Sequence, residues 1–366
     1  MIPLRLVASA EVPDAVKAVL EGTSGPFAPL PDSPAEAARW VEVLKTDVGV
    51  QEPDAAVVVP TSGSTGNPRA VVLSRSAVVS AALAAHDRLG GPGSWVCALA
   101  PHYVAGLMVH VRAFVSGHPA TIVDQHLTRL GDVTLPDGPA YISLVPAQLY
   151  RAMRQPDVRT ALRRYTVLLG GAAADRAELA RAQQSGIHVV TTYGMSETCG
   201  GVVYDGVPLG GVHVGLDDDG RISLAGPTTF SGYRLDPEAT ALVLDGRTFL
   251  TSDRGAWVGD RLDVRGRLDD VVISGGVNVD IAQLQRIVDR ALGVERAVVL
   301  GVPDPHWGAR IVAVTTSDLS LDAIRERLDG RVDRAALPRD LRRLDVFPRT
   351  SSGKIDRRTL ASEWEA

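Results

Sequence analysis

The chain has 366 residues, 45% hydrophobic and 22% charged, with a formal net charge of −5, a composition that fits soluble globular material with room for two domains of unequal size. That acidic balance speaks against nucleic acid or an anionic membrane as partner, because either favours a basic face. No apolar run reaches the ~18–20 residues of a membrane span, and Met1-Ile2-Pro3-Leu4-Arg5 lacks the basic-then-apolar layout of a signal peptide, so a cytoplasmic location is expected.

In chain order, residues 1–50 read as a lead-in with helical spacing over Val12 to Leu20 and Ala35 to Leu44, and no chemistry is assigned to it. Apolar runs at 55–59 and 70–73 read as strands, and Arg75 to Leu89 as a helix with Ser74 as its N-cap. Strands at 95–100, 120–123, 140–144, 166–169 and 188–191 then alternate with helices at 107–115, 146–153 and 175–184. This rhythm predicts helix-covered sheets. From about Gly210 short strands and turns take over, including 221–225 and 249–251, which suits a small barrel-like β unit; Asp217-Asp218-Asp219-Gly220 there reads as a solvated turn rather than a metal site. After a charged linker at 265–270 comes an α+β segment: strand 271–274, helix 280–291, strands 297–300 and 311–315, helix 321–328, then a basic tail. Cys97 and Cys199 belong to no C-x-x-C or Cys/His cluster and read as small buried hydrophobes.

Between the strands at 55–59 and 70–73 lies Thr61-Ser62-Gly63-Ser64-Thr65-Gly66-Asn67-Pro68-Arg69. Glycines let backbone N–H groups approach an anion, hydroxyls of Ser62, Ser64 and Thr65 add donors, and Arg69 adds charge. The glycine spacing and the strand that follows exclude a Walker P-loop, which opens into a helix. A plain Gly/Ser surface hairpin is the alternative.

The stretch resembles the T-S-G-[ST]-T-G-x-P-K-G signature of adenylate-forming enzymes, the superfamily of acyl-CoA synthetases, peptide-synthetase adenylation domains and luciferases. Arg69 stands where lysine is usual and Ala70 where glycine is usual. Further stretches resemble the same superfamily in its own order. Gly170-Gly171-Ala172-Ala173-Ala174 follows a strand, where Gly171 and Ala172 would leave a slot for adenine; a tight turn of small residues is the bland reading. Thr192-Tyr193-Gly194-Met195-Ser196-Glu197 resembles the T-Y-G-M-[ST]-E motif. The resemblance implies Tyr193 as an adenine platform, Gly194 beside it, Ser196 near the α-phosphate, and Glu197 with Thr65 as Mg²⁺ ligands.

Thr251-Ser252-Asp253 resembles the T-G-D motif, with Asp253 accepting from the ribose hydroxyls. Gly266-Arg267-Leu268-Asp269-Asp270 is similar to the family's domain hinge, with Arg267 on the ribose and Asp269 the pivot; alone it would be a charged turn. Gly275 and Gly276 fall where relatives form the face towards CoA. Pro348-Arg349-Thr350-Ser351-Ser352-Gly353-Lys354 resembles the P-[RK]-T-x-x-G-K signature. Lys354 would place one ammonium between the substrate carboxylate and the α-phosphate.

The acid is addressed by two stretches. Ser143-Leu144-Val145-Pro146-Ala147-Gln148-Leu149 resembles the S-x-V-P-T-Q-L of o-succinylbenzoate-CoA ligases of menaquinone biosynthesis. Pro101-His102-Tyr103-Val104-Ala105-Gly106-Leu107 falls at the family's acyl gate; Tyr103 and Gly106 match it, Val104 replaces a common histidine, and His102 would serve as a cation for an aromatic carboxylate.

The resemblance implies an α/β fold: a large domain over 1–266, truncated relative to most of the superfamily and carrying the small β unit, then a small mobile α+β domain over 267–366. It implies an ATP-dependent acid-CoA ligase using Mg²⁺, with Lys354, Glu197 and Arg69 as catalytic groups. Acid, ATP and CoA are the expected partners, neither nucleic acid nor an integral membrane segment is expected, and homo-oligomer formation is left open. Another aryl- or fatty-acid-CoA ligase, a stand-alone adenylation enzyme loading a carrier protein, and a non-catalytic nucleotide-binding protein are the alternatives.

Overall fold

The computed structural model describes residues 1–61, 69–349 and 355–364. The lead-in is not a bystander. Its strands β1 (Arg5–Val7) and β2 (Phe27–Pro29) run parallel to each other and to β3 (Ala55–Thr61), which forms an antiparallel pair with β4 (Arg69–Ser74); the short strand Gly232–Tyr233 closes this sheet. Helices α1 (Val12–Leu20), α2 (Pro34–Leu44) and α3 (Arg75–Leu89) accompany it. The apolar runs of β3 and β4 are buried throughout, with Val58, Val59, Val71 and Leu73 wholly excluded from water. Burial of each such side chain contributes about 1.5–3 kcal/mol. Ser74 caps α3 by accepting from the Ala77 amide.

The second sheet is doubly wound. Strands β5 (Ser94–Cys97), β6 (Thr121–Ile122), β7 (Ala140–Leu144), β8 (Thr166–Leu169) and β9 (His188–Met195) are parallel, and β10 (Gly200–Tyr204) turns back beside β9. Between them run α4 (Val104–Val115), α5 (Pro146–Ala152), α6 (Pro156–Leu162) and α7 (Arg176–Gln184). The sequence pattern does not anticipate α6, because Pro156 ends one apolar periodicity and opens another at the first position of a new helix. In space the order is β9-β8-β7-β5-β6, so the winding reverses between β5 and β7. Ligands of open parallel sheets bind beyond the carboxyl ends of strands at such a reversal.

A third, all-β sheet orders His213–Leu216, Arg221–Ala225, Thr248–Val258 and Leu244–Asp245, with Arg261–Arg267 paired to Thr248–Val258. Asp217-Asp218-Asp219-Gly220 is a turn in which Asp217 accepts from the amides of Asp219 and Arg221.

Contacts divide the chain into two compact units, one of residues 1–215, 223–251 and 258–262, the other of 216–222, 252–257 and 263–366. The long strand Thr248–Val258 contributes residues to both units, 248–251 and 258 to the first and 252–257 to the second. In the second unit, strands Val277–Asp280, Val271–Ser274, Gly308–Thr315 and Ala297–Asp304 form an antiparallel sheet, to which Asp340–Arg343 adds in parallel. Helix Ile281–Leu292 packs Leu284 and Val288 into its core with Val299 and Ala313.

Cys97 and Cys199 are both buried and free, and burial pushes the Cys97 thiol up to about 11. Among the described residues no helix is long and apolar enough to cross a membrane.

Candidate active site

The phosphate-loop stretch is carried by a hairpin. Thr61 and Arg69 pair across β3 and β4, and the Thr61 hydroxyl donates to the Arg69 carbonyl at 3.2 Å. The expected ligands Ser62, Gly63, Ser64, Thr65 and Gly66 lie outside the described residues. Arg69 stands at the hairpin's second foot, its guanidinium 4.9 Å from the centroid of the Tyr233 ring and 3.9 Å from the Asp236 carboxylate. Both charged side chains are partly exposed, so that ion pair contributes little to stability and leaves Arg69 available to an incoming anion.

Tyr233 links Arg69 to Glu197, since its hydroxyl donates to Glu197 Oε1 at 3.0 Å. Burial first, and then the Glu197 carboxylate, push the Tyr233 phenol far above its ordinary value, so it remains a protonated donor. Glu197 sits in a 3-10 turn, Ser196–Thr198, that ends β9. Hydrogen bonds on both sides hold this turn. The Thr198 hydroxyl, itself donating to the Gly200 carbonyl at 2.8 Å, accepts from the Met195 amide, and the Phe230 amide donates to the Glu197 carbonyl at 2.8 Å. Gly194 is required where β9 meets β10, because a Cβ there would strike the carbonyl of Gly200. Tyr193 and Ser196 are half-buried at the carboxyl end of β9, and Gly171 and Ala172 are exposed just beyond the carboxyl end of β8. The neighbouring parallel strands thus bring the adenine, α-phosphate and metal candidates to one rim of the first unit.

In the second unit, the Arg267 guanidinium approaches the largely buried Asp253 carboxylate at 3.6 Å. The two residues expected at the ribose therefore form one pair. Asp269 lies in the 3-10 turn Leu268–Asp270, and Gly275 and Gly276 form the turn between Val271–Ser274 and Val277–Asp280, where the Gly275 amide donates to the Trp307 carbonyl. Lys354 lies outside the described residues.

The acyl candidates sit where the winding of the parallel sheet reverses. Ser143 is a buried residue near the end of β7, and His102 and Tyr103 lie between β5 and α4. Gln148, 5% exposed, staples the loops together: its amide nitrogen donates to the carbonyls of Ala98 and Gln125, and its oxygen accepts from the Val145 amide. Gly106 permits the tight entry into α4, since a Cβ would collide with the Ala100 carbonyl. Burial holds His102 below its ordinary value despite the weaker pull of Glu36 and Asp32.

The sequence signature of the AMP-binding enzyme family matches residues 4–234, and that of the AMP-binding enzyme C-terminal domain matches 285–354. The chain belongs to the AMP-binding enzyme family. It is 42% identical over 335 residues to the probable 2-succinylbenzoate–CoA ligase of Mycobacterium tuberculosis, covering 86% of each chain. The 2-succinylbenzoate–CoA ligase of Listeria monocytogenes is 31% identical, over 84% of this chain and 69% of that one. In fold it resembles o-succinylbenzoate CoA synthetase from Bacillus subtilis bound to its acyl-adenylate (TM-score 0.74, 22% identity, 98% of this chain and 82% of that one). It also resembles the amide bond synthetase McbA from Marinactinospora thermotolerans (TM-score 0.74, 23% identity, 99% and 80%).

In this AMP-binding enzyme the sequence patterns left several site residues without a role. Tyr233 and Asp236 occur in no stretch read as chemistry, although Gly232-Tyr233 pairs with Val72 and Val71 and so sets Tyr233 beside Arg69. Gln148 stands within a quoted motif, but its three contacts appear only when the loops after β5, β6 and β7 converge. Glu36 and Trp40 carried one legible signal, a spacing of four that puts both on one helical face.

Proposed function

We propose that the protein is an ATP-dependent acid-CoA ligase that converts o-succinylbenzoate to its CoA thioester, a step of menaquinone biosynthesis. The observation that carries this reading is the 42% identity, over 86% of both chains, to a probable 2-succinylbenzoate–CoA ligase. A substrate carboxylate oxygen bonds to the α-phosphorus of ATP while the bond from that phosphorus to the β-phosphate bridging oxygen breaks, releasing pyrophosphate and leaving an acyl-adenylate. The CoA thiol then adds to the acyl carbonyl, AMP departs with the electron pair of the acyl–oxygen bond, and the thiol proton goes to solvent.

Such chemistry is mostly positioning and charge neutralisation. Arg69 would draw the phosphates to the hairpin, Tyr233 would orient the Glu197 carboxylate, and Asp253 would hold the ribose hydroxyls with Arg267 beside it. Lys354 is proposed as the cation shared by carboxylate and α-phosphate, and Asp269 as the hinge, both on the motif resemblance. Among the described residues no group of three or more His, Cys, Asp or Glu is arranged to hold a metal. One carboxylate, Glu197, fits Mg²⁺, which takes one or two carboxylates and fills its shell with water and substrate phosphate oxygens. Bound there, Mg²⁺ would neutralise charge on the phosphates.

The test is release of AMP and pyrophosphate from ATP and Mg²⁺ with o-succinylbenzoate, benzoate or a medium-chain fatty acid, with and without CoA, for wild type and Lys354→Ala. Turnover that needs CoA, prefers o-succinylbenzoate and collapses in the variant supports the proposal. Preference for another acid would leave the ligase and remove the pathway, and failure of every acid to give pyrophosphate would remove both.

A further inference from the structure

His102 is 6% exposed, and neither of its ring nitrogens has a hydrogen-bond partner among the described residues. A buried polar group left unpaired keeps its full desolvation penalty. The imidazole is instead held by rings. Tyr103 packs on it at 4.4 Å between centroids, and the Trp40 indole meets it edge-on at 5.3 Å and 84°. Trp40 also meets Tyr103 edge-on at 5.7 Å, and the Tyr103 hydroxyl donates to Glu36 Oε1 at 3.3 Å. Glu36 is itself only 8% exposed. Helix α2 thus presents Glu36 and Trp40, one turn apart on one face, to a histidine and tyrosine that lie beyond β5 at the reversal of the sheet. The aromatic packing fixes the imidazole plane without using either nitrogen. The unpaired nitrogens are what an oxygen-bearing ligand group would satisfy.

We propose that Trp40 and Glu36 of α2 are specificity-determining residues that hold His102 and Tyr103 so that the His102 N–H donates to a second oxygen acceptor of the acid, the carboxylate or carbonyl remote from the carboxylate that is adenylated. The inference rests on the ligase reading above and deepens it. Acids that carry a distal oxygen, such as o-succinylbenzoate with its second carboxylate and its ketone, gain a hydrogen bond that a plain monocarboxylic acid lacks. Trp40 and Glu36 act through His102 and Tyr103 and are positioning residues.

The experiment uses the full chain and compares wild type, Trp40→Ala, Trp40→Phe and Glu36→Gln. For each, kcat and KM are measured with o-succinylbenzoate and with hexanoate, which has no distal oxygen, together with KM for ATP and Tm. In Trp40→Ala, KM for o-succinylbenzoate rises about tenfold or more, the value of one misplaced hydrogen bond to a charged group. KM for ATP stays within about twofold, and the kcat/KM ratio between the two acids falls towards one. Trp40→Phe keeps most of the ratio because it retains an aromatic edge, and Glu36→Gln lowers it while still accepting from Tyr103. Should Trp40→Ala fail to fold, those two milder variants carry the test. A wild type that turns over while every folded variant keeps its acid ratio overturns the inference and leaves the ligase reading intact. A wild type for which no acid gives pyrophosphate overturns both.

Discussion

The Tyr233 hydroxyl donates to Glu197 at 3.0 Å while the Arg69 guanidinium sits 4.9 Å from the centroid of the same ring, so one buried phenol spans the cation and the carboxylate proposed to meet the nucleotide's phosphates. Removing that hydroxyl separates orientation from charge. In Tyr233→Phe the Glu197 carboxylate keeps its charge and loses a donor, a change of about 1.5–3 kcal/mol in its positioning. The Mg²⁺ concentration for half-maximal ATP–pyrophosphate exchange rises several-fold, with Tm little changed because the ring stays packed against Phe230. An unchanged Mg²⁺ titration would show that Glu197 is held by other means.

The charges themselves matter more. Glu197→Gln and Arg69→Ala each lower the rate of acyl-adenylate formation about 10²- to 10³-fold, the usual cost of removing one group that stabilises developing charge. Arg69→Lys, which restores the family's usual residue, retains most activity. Single-turnover pyrophosphate release measures all three.

In the second unit the test is the nucleotide's own KM. Asp253→Asn weakens acceptance from ribose hydroxyls and loosens the 3.6 Å approach of Arg267, so KM for ATP rises about tenfold while KM for the acid holds. Comparison of ATP with its 2′-deoxy analogue shows whether the lost energy belongs to a hydroxyl, since the variant discriminates the two less than wild type does.

Arg234 anchors the segment after α2. Its guanidinium, 7% exposed, donates to the carbonyls of Leu44, Lys45, Val48 and Gly49. Arg234→Ala leaves several of them unpaired and lowers stability by about 3 kcal/mol. Urea denaturation of wild type and variant measures it, and a midpoint within error of wild type would mean that water replaces the guanidinium.

Stability also carries a pH signature. His86 accepts at Nε2 from the Trp95 indole, which can only donate, so this nitrogen is unprotonated in the fold. Burial, then Arg112, lowers His86 to about 4, and burial alone lowers His110 to about 4. Depressed values mean that the unfolded chain binds these protons first. Their contribution is complete above pH ~6.5 and is lost as pH falls towards 4, at up to ~1.4 kcal/mol per pH unit for each histidine. Urea midpoints measured from pH 7.5 to 4.5 fall more steeply for wild type than for His110→Leu.

The sequence alone determined the chemistry's vocabulary. Hydroxyl, glycine and carboxylate patterns at 61–69, 192–197, 251–253 and 348–354 depend on short-range geometry, and local spacing is what one chain displays directly. It likewise determined most strands and helices, although pairing partners, rather than propensity, extend a strand such as Thr248–Val258 well beyond the 249–251 read from the pattern. Tertiary structure decided what distance along the chain conceals. Tyr233 reaches Glu197 because Gly232–Tyr233 pairs with β4, and Glu36 and Trp40 reach Tyr103 and His102 because α2 packs along the first sheet near the loop that leaves β5. Contacts of that kind are set by which apolar faces bury one another, and no local pattern of residues records which faces will meet.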